Sequence, residues 1–373
     1  MQSSVNDSGR GSLLTRAKAG IERSVVPREE PISRFPCISG LAVSSSEEIY
    51  TQDQVLDRLG LKGNEFAEGI FERCGVKQRH LELGEDFLAQ TLQARTTQIE
   101  GFLLDHSIRA VDALGVDPAD IGTVMSASLY SLGTPTLAHR LIEHYEMAPT
   151  TDKYHVTGVG CASGVPLMRL AGQALREHPD KHALVVTAES MSGILMPSTP
   201  EDSKAKIVGS AIFGDGCAAA LLSLDPHAEG PRILASQVHQ IPGTLHAVRL
   251  DMREEDSHLH LARELPDIAG AELREVFDSF LHQQRLRRSD IDHWLVHPGG
   301  RRIIENVQTA LELSDEDVAV SWTALAEHGN VGTPSILYVL DETTERCRPR
   351  AGARGLAVTI GPGVTVGLML LQW

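Results

Sequence analysis

The sequence predicts a layered α/β protein built from two similar halves. Three observations support this. Its 42% hydrophobic and 23% charged residues are ordinary for a folded chain and unlike a disordered one. From about residue 36, apolar strand-like runs alternate with helical periods. And one order of turn, helix, loop and strand occurs twice.

Taken in order, residues 1–33 are polar, carry Gly, Ser and Pro, and read as a flexible N-terminal tail. The rest divides into an N-terminal half, 34–225, and a C-terminal half, 226–373. "CISGLAVSSS" opens the first half as a strand and "YTQDQVLDRLGL" has helical spacing. In "IEGFLLDHSIRAVDALGV", Leu104, Ile108 and Val111 fall on one helix face. "TVMSASL" reads as a buried strand, followed by a loop with Gly133 and Pro135. The echo pairs "CASGVPLMRLAGQALREHPDKHALVVTAES" with "NVGTPSILYVLDETTERCRPRAGARGLAVTIGPG", which reach the near-identical strands "LVVT" and "LAVT". Later glycine turns, "FGDG" and "IGPG", lead into "CAAALLSL" and "VTVGLMLLQW". Cys161 and Asn330 are thereby counterparts at the starts of matching helices.

Composition also excludes classes of function. No apolar run reaches the roughly 18 residues of a membrane span, and the N-terminus lacks the apolar stretch of a secretory signal. Cys37, Cys74, Cys161, Cys217 and Cys347 are scattered, without a CxxC pair. That argues against a disulfide framework or a metal site and for a cytoplasmic protein. A net charge of −16 argues against nucleic acid as a partner.

Three stretches carry chemistry. Cys161, in "GVGCASG", sits where a helix N-terminus can favour a thiolate nucleophile, although free cysteine also packs as a small hydrophobe. His297 follows the buried-looking "WLV" and precedes a Pro-Gly-Gly turn, so its ring projects from a strand end. Asn330, after Gly329, suits a helix N-cap. A soft thiolate that can also leave, next to an imidazole and an amide that can hold an oxyanion, suits thioester chemistry.

These stretches, with "VGSAIFGDGCAAAL", "HPGGRRII", "EHGNVGTPSILYVLDE" and "TIGPGVTV", resemble the chalcone and stilbene synthase family of type III polyketide synthases, on the thiolase fold. The resemblance runs from about residue 36 to the C-terminus. It implies a layered αβαβα architecture of two duplicated halves, a catalytic triad of Cys161, His297 and Asn330, and a homodimer. Coenzyme A thioesters are substrates, with no further cofactor and no metal. Cys161 would take the acyl chain, and loss of carbon dioxide from malonyl-CoA would replace base catalysis.

Departures from the family concern the cavity. Phe213 matches one of two gating phenylalanines, and the other falls on Leu259. Leu250 stands where chalcone synthases carry glycine, Gly332 where serine is usual, and Leu195 near another lining position. Together they favour an aliphatic starter and few condensations, giving a product such as an alkylpyrone or alkylresorcinol. Thr134 matches the loop residue that family dimers insert into the partner's cavity. In the coenzyme A segment only Arg73 matches a basic position, others reading Phe66 and Gly69. Arg301 and Arg302 are candidates to compensate, and an acyl carrier protein is a second donor. The same triad also fits a ketoacyl-carrier-protein synthase III, whose histidine motif is usually HQAN rather than "HPGG". It fits a cysteine-dependent acyltransferase or thioesterase without decarboxylation too. A non-catalytic binding protein is the third alternative.

Overall fold

Strands rich in apolar residues on both faces need cover on both, and the chain has several. All eight residues of "GCAAALLS" are buried, as are seven of eight in both "HALVVTAE" and "RGLAVTIG". The computed structural model describes residues 32–83, 89–129, 131, 133–194, 204–252, 257–262 and 265–373. Ile32–Trp373 form one compact unit. The strands are β1 Cys37–Ser44, β2 Ile49–Thr51, β3 Gln78–His80, β4 Ile121–Ala127, β5 Asp152–Val156, β6 His182–Glu189 and β7 Gly216–Ser223. They continue with β8 Arg232–Gln240, β9 Val248–Met252, β10 Ser257–Leu261, β11 His293–Val296, β12 Arg354–Gly361 and β13 Thr365–Gln372. The helices are α1 Gln52–Arg58, α2 Glu65–Arg73, α3 Leu92–Leu114, α4 Leu137–His144 and α5 Gly164–Ala174. They are followed by α6 Lys204–Ile212, α7 Leu265–Gln283, α8 Arg301–Leu311, α9 Ala319–His328 and α10 Ser335–Glu342.

Nine strands join in the order β11-β12-β13-β8-β1-β7-β6-β4-β5. Reading outward from the middle, each side repeats one pattern. β1–β7 and β7–β6 are antiparallel and β6–β4 parallel; β8–β13 and β13–β12 are antiparallel and β12–β11 parallel. The echoed strands are thus β6 with β12 and β7 with β13, and the echoed helices are α5 and α10. β1 meets β8 through one pair, Cys37 with Arg232. There the Arg232 guanidinium donates to the carbonyls of Phe35, Asp225, Pro226 and Ala228, fixing the chain between the two runs of strands.

Side-chain alternation sorts these strands into three cores. On β6, Val185 faces a core shared with α5 and α10, while Leu184 and Val186 face one shared with α3. On β12, Ala357 faces the first of these, while Leu356 and Val358 face a third shared with α7 and α8. The central helices therefore lie between two sheet layers, each covered outside by helices, which is the expected αβαβα arrangement. On α3, Leu104 and Ile108 are half-buried and Val111 is buried against the outer core, while Leu103 and Ala110 are the deepest.

Candidate active site

Cys161 lies in a 3-10 turn, Gly160–Ala162, just ahead of α5 rather than on it. Gly160 has φ +56°, a conformation that favours glycine. A Cβ there would also come within 3.1 Å of the Pro362 ring, and one at Gly361 within 2.7 Å of Ala162. The "IGPG" turn at the end of β12 thus packs directly on the cysteine turn, bringing the two echoed segments together.

Asn330 comes from the other echoed segment, 169 positions away, yet its amide meets the thiol, with Sγ 3.7 Å from Oδ1 and 3.8 Å from Nδ2. Oδ1 already accepts from the Gly332 N–H at 3.0 Å and the Ser335 hydroxyl at 3.1 Å. That network fixes the amide's orientation and leaves Nδ2 as the donor available beside the thiol. The N-cap reading is corrected accordingly: α10 begins five residues later, and the Asn330 side chain organises the turn between. His297 follows β11 and donates its backbone N–H to Val358 of β12 at 2.8 Å. A Cβ at Gly299 would lie 2.9 Å from its Cδ2 and Nε2, so the Pro-Gly-Gly turn folds tightly over the ring. The imidazole is 1% exposed, and its Nδ1 has no partner among the described residues.

Burial governs the electrostatics. It pushes the Cys161 thiol up to about 12, with the Asn330 contact opposing and the Glu189 charge adding to it. It takes His297 down to about 3. Burial by itself thus favours the neutral thiol and the neutral imidazole in the free site. Charging one of them without the other costs desolvation that a single hydrogen bond does not offset.

Sequence reasoning missed Glu189. The carboxyl is fully buried, accepts from the Leu129 N–H at 2.8 Å and the Ser128 hydroxyl at 3.2 Å, and is raised by burial to about 8. It follows the apolar run "ALVVTA", broken only by Thr187, an unusual place for a carboxylate; that was the available signal.

Gly332 lies two residues after Asn330, in the turn before α10. It has φ +69°, and an added Cβ would meet Glu189 Cγ at 2.8 Å, so its smallness serves the turn that holds Asn330. Phe213 is half-buried and forms a parallel bridge with Asn330. Leu250 and Leu259 are directly paired across the β9–β10 hairpin, and β10 packs on α6, which leads into Phe213. Thr134 is exposed just before α4. Leu195, like the tail up to residue 31, lies outside the described residues.

A surface cleft of about 560 Å³ is lined by Glu72, Arg73, Gly75, Arg301, Glu305 and Trp322. It joins two of the three predicted coenzyme A arginines; Arg302 is exposed beside Arg301 on α8. Each cleft arginine faces a carboxylate, Arg301 with Glu305 at 2.7 Å and Arg73 with Glu72 at 3.8 Å. Elsewhere Glu327, His328 and Glu342 bring one potential metal-ligand atom each within 4.8 Å of the others. Arg346 already bridges those two carboxylates.

Comparisons with known proteins agree with this geometry. Residues 232–373 match the profile of chalcone and stilbene synthases, C-terminal domain, and residues 42–283 that of FAE1/type III polyketide synthase-like proteins. The chain is 30% identical to a 3,5-dihydroxyphenylacetyl-CoA synthase of Amycolatopsis balhimycina, over 97% of this chain and 99% of that one. It is 30% identical to an alpha-pyrone synthesis polyketide synthase-like protein of Mycobacterium tuberculosis, over 72% and 69% of the two chains. The crystal structure of 1,3,6,8-tetrahydroxynaphthalene synthase from Streptomyces coelicolor superposes with a TM-score of 0.83 at 25% identity, covering 91% of this chain and 99% of that one. With two overlapping profiles that run from residue 42 to the C-terminus and a relative matched over nearly its whole length, the chain belongs to the chalcone and stilbene synthase family of type III polyketide synthases.

Proposed function

We propose that Cys161 carries the growing acyl chain and that Asn330 and His297 stabilise the enolate of decarboxylated malonyl-CoA. The observation that carries this reading is the Asn330 amide, whose oxygen is occupied by Gly332 and Ser335 and whose nitrogen lies 3.8 Å from Sγ. The Cys161 thiol gives its proton to the neutral His297 imidazole as Sγ attacks the starter thioester carbonyl; the bond from that carbonyl to the coenzyme A sulfur then breaks, and the leaving sulfur takes the proton back from His297 to depart as the free thiol. Malonyl-CoA then loses carbon dioxide, and the electrons of the broken C–C bond form the enolate, whose oxygen takes hydrogen bonds from the amide and the imidazole. The carbanion attacks the Cys161 thioester, a C–C bond forms, and the Cys161 sulfur departs.

The cleft at Arg73 and Arg301 suits the anionic nucleotide of coenzyme A. Phe66, Gly69 and Arg73 share one face of α2 by helical spacing. The Arg73 guanidinium folds back into the space above Gly69, and the Lys204 ammonium lies 4.9 Å from the centre of the Phe66 ring. Cations thus stand at both ends of a face whose positions 66 and 69 carry no basic side chain. The exposed edge of β5, with Lys153 and Tyr154, together with exposed Thr134, supports a homodimer.

For the starter we favour an aliphatic acyl-CoA, because Leu250 and Leu259 stand opposite each other on the hairpin that packs against α6. Relatives named for 3,5-dihydroxyphenylacetyl-CoA and alpha-pyrone synthesis supply a second reading, a ring-forming synthase extending malonyl units. Mass spectrometry of products from malonyl-CoA alone, and with a panel of acyl-CoA or acyl-carrier-protein starters, separates the two. Products requiring an alkanoyl starter support the first reading; equal turnover on malonyl-CoA alone overturns it.

A further inference from the structure

Arg79 is fully buried on β3, and the reaction as described does not use it. Among the described residues no carboxylate forms an ion pair with it, and its Nε has no partner. A guanidinium kept dry without a salt bridge is costly, and the Phe71 ring, 5.7 Å from its Cζ, offsets that only in part. What the charge does is hold backbone. Nη1 donates to the Phe213 carbonyl at 2.8 Å and Nη2 to Gln52 Oε1 at 2.8 Å, while Gln52 Nε2 donates to the Ala211 carbonyl at 2.9 Å.

The strap 211–215 is thereby gripped from both sides. Ala211 and Phe213 face Arg79 and Gln52. Ile212 and Gly214 face Asn330: the Ile212 carbonyl accepts the Asn330 N–H at 2.7 Å, and the Gly214 N–H donates to the Asn330 carbonyl at 3.1 Å. Asp215 pins the far end, donating its N–H to His80 O and accepting from Ser192 and the Glu82 N–H.

We infer that Arg79 is a positioning residue that sets the place of the Asn330 amide, through the Phe213 carbonyl and the strap 211–215. This rests on the proposed role of Asn330 toward the enolate. A charge-assisted bond to a carbonyl is strong and directional, and a misplaced stabilising donor is expensive for the step that uses it. Cys161 sits on a different turn, so acyl loading does not depend on the strap.

The test measures two steps per folded enzyme: acyl transfer onto Cys161 by intact mass, and carbon dioxide release from malonyl-CoA. For Arg79→Met, decarboxylation falls by about tenfold or more while Cys161 acylation stays within about twofold. Arg79→Lys, which keeps a donor for Phe213, recovers part of the loss. Combined with Asn330→Ala, Arg79→Met costs no further decarboxylation, because both act through one amide. Equal losses in both steps, additivity with Asn330→Ala, or unchanged carbon dioxide release overturns the inference. If Arg79→Met does not fold, Gln52→Leu loosens the same strap, and about a threefold loss confined to decarboxylation is expected; no loss overturns the inference. A wild-type protein that releases no carbon dioxide from malonyl-CoA would instead refute the proposed role of Asn330.

Discussion

The centre around Cys161 and the cleft at Arg73 and Arg301 handle polar groups in opposite ways. In the centre, Glu189 is fully buried and His297 1% exposed, and burial shifts both toward their neutral forms. In the cleft, the Arg73 and Arg301 side chains are 65% and 52% exposed, and each has a glutamate carboxylate beside it at the solvent-facing surface. Removing a group from the first region leaves a dry partner unsatisfied, whereas in the second solvent replaces most of what is lost. On the proposed roles, the difference teaches that substitutions in the centre should change the chemistry and those in the cleft should only adjust affinity.

The largest effect expected is at Cys161. Cys161→Ala abolishes both the acyl adduct and the polyketide, as read by intact mass after incubation with an acyl-CoA. An adduct that survives would move the nucleophile out of the centre, with exposed Cys347 the first alternative. Next, Asn330→Ala loses on the order of 3 kcal/mol of transition-state stabilisation, seen as slow carbon dioxide release from malonyl-CoA while acyl loading continues. Normal release would reduce Asn330 to an organiser of its turn.

The third effect is on stability. The folded state raises Glu189 to about 8, so between its ordinary range near 4.5 and about 8 the folded protein binds more protons than the unfolded one. Stability from this group is complete at the low end of that window and is lost as pH rises through it. Thermal melts should show wild type losing several degrees relative to Glu189→Gln, roughly between pH 5 and 8. A constant difference would mean that the carboxyl titrates as it does in water.

The smallest effects belong to the cleft. Arg301→Ala raises KM for malonyl-CoA by about twofold to fivefold with kcat unchanged, in keeping with a solvent-exposed charge worth about 1 kcal/mol or less. Glu305→Gln, which frees Arg301, lowers KM by about twofold. Both shifts fade in high salt and vanish with a malonyl-pantetheine thioester that lacks the nucleotide. A change in kcat would break the contrast between the two regions.

Some of this was legible in the chain. The strands "LVVT" and "LAVT" declared the repeat, because unbroken apolar runs bounded by turns can only be buried strands or short core helices. The motifs around Cys161, His297 and Asn330 pointed to thioester chemistry and to a family. The backbone demand at Gly332, φ +69° beside Glu189, was not legible, since sequence alone does not show which glycines carry a positive φ. The helix N-cap at Asn330 was misplaced because capping residues look alike whether they start a helix or brace the turn before it. Arg79 carried no signal, since one arginine among four polar or charged neighbours in "VKQRHLE" reads as surface.

By itself, then, the sequence determined the alternation of elements, the duplication and the candidates for the reactive residues, because these depend on local period and side-chain chemistry. Only the tertiary structure decided that Asn330 meets Cys161 across 169 positions, that burial raises Glu189 and lowers His297 toward their neutral forms, and that Arg79 grips the strap beneath Asn330. Desolvation and hydrogen-bond partnership are set by what the rest of the chain places around a group, and no local stretch of residues contains that information.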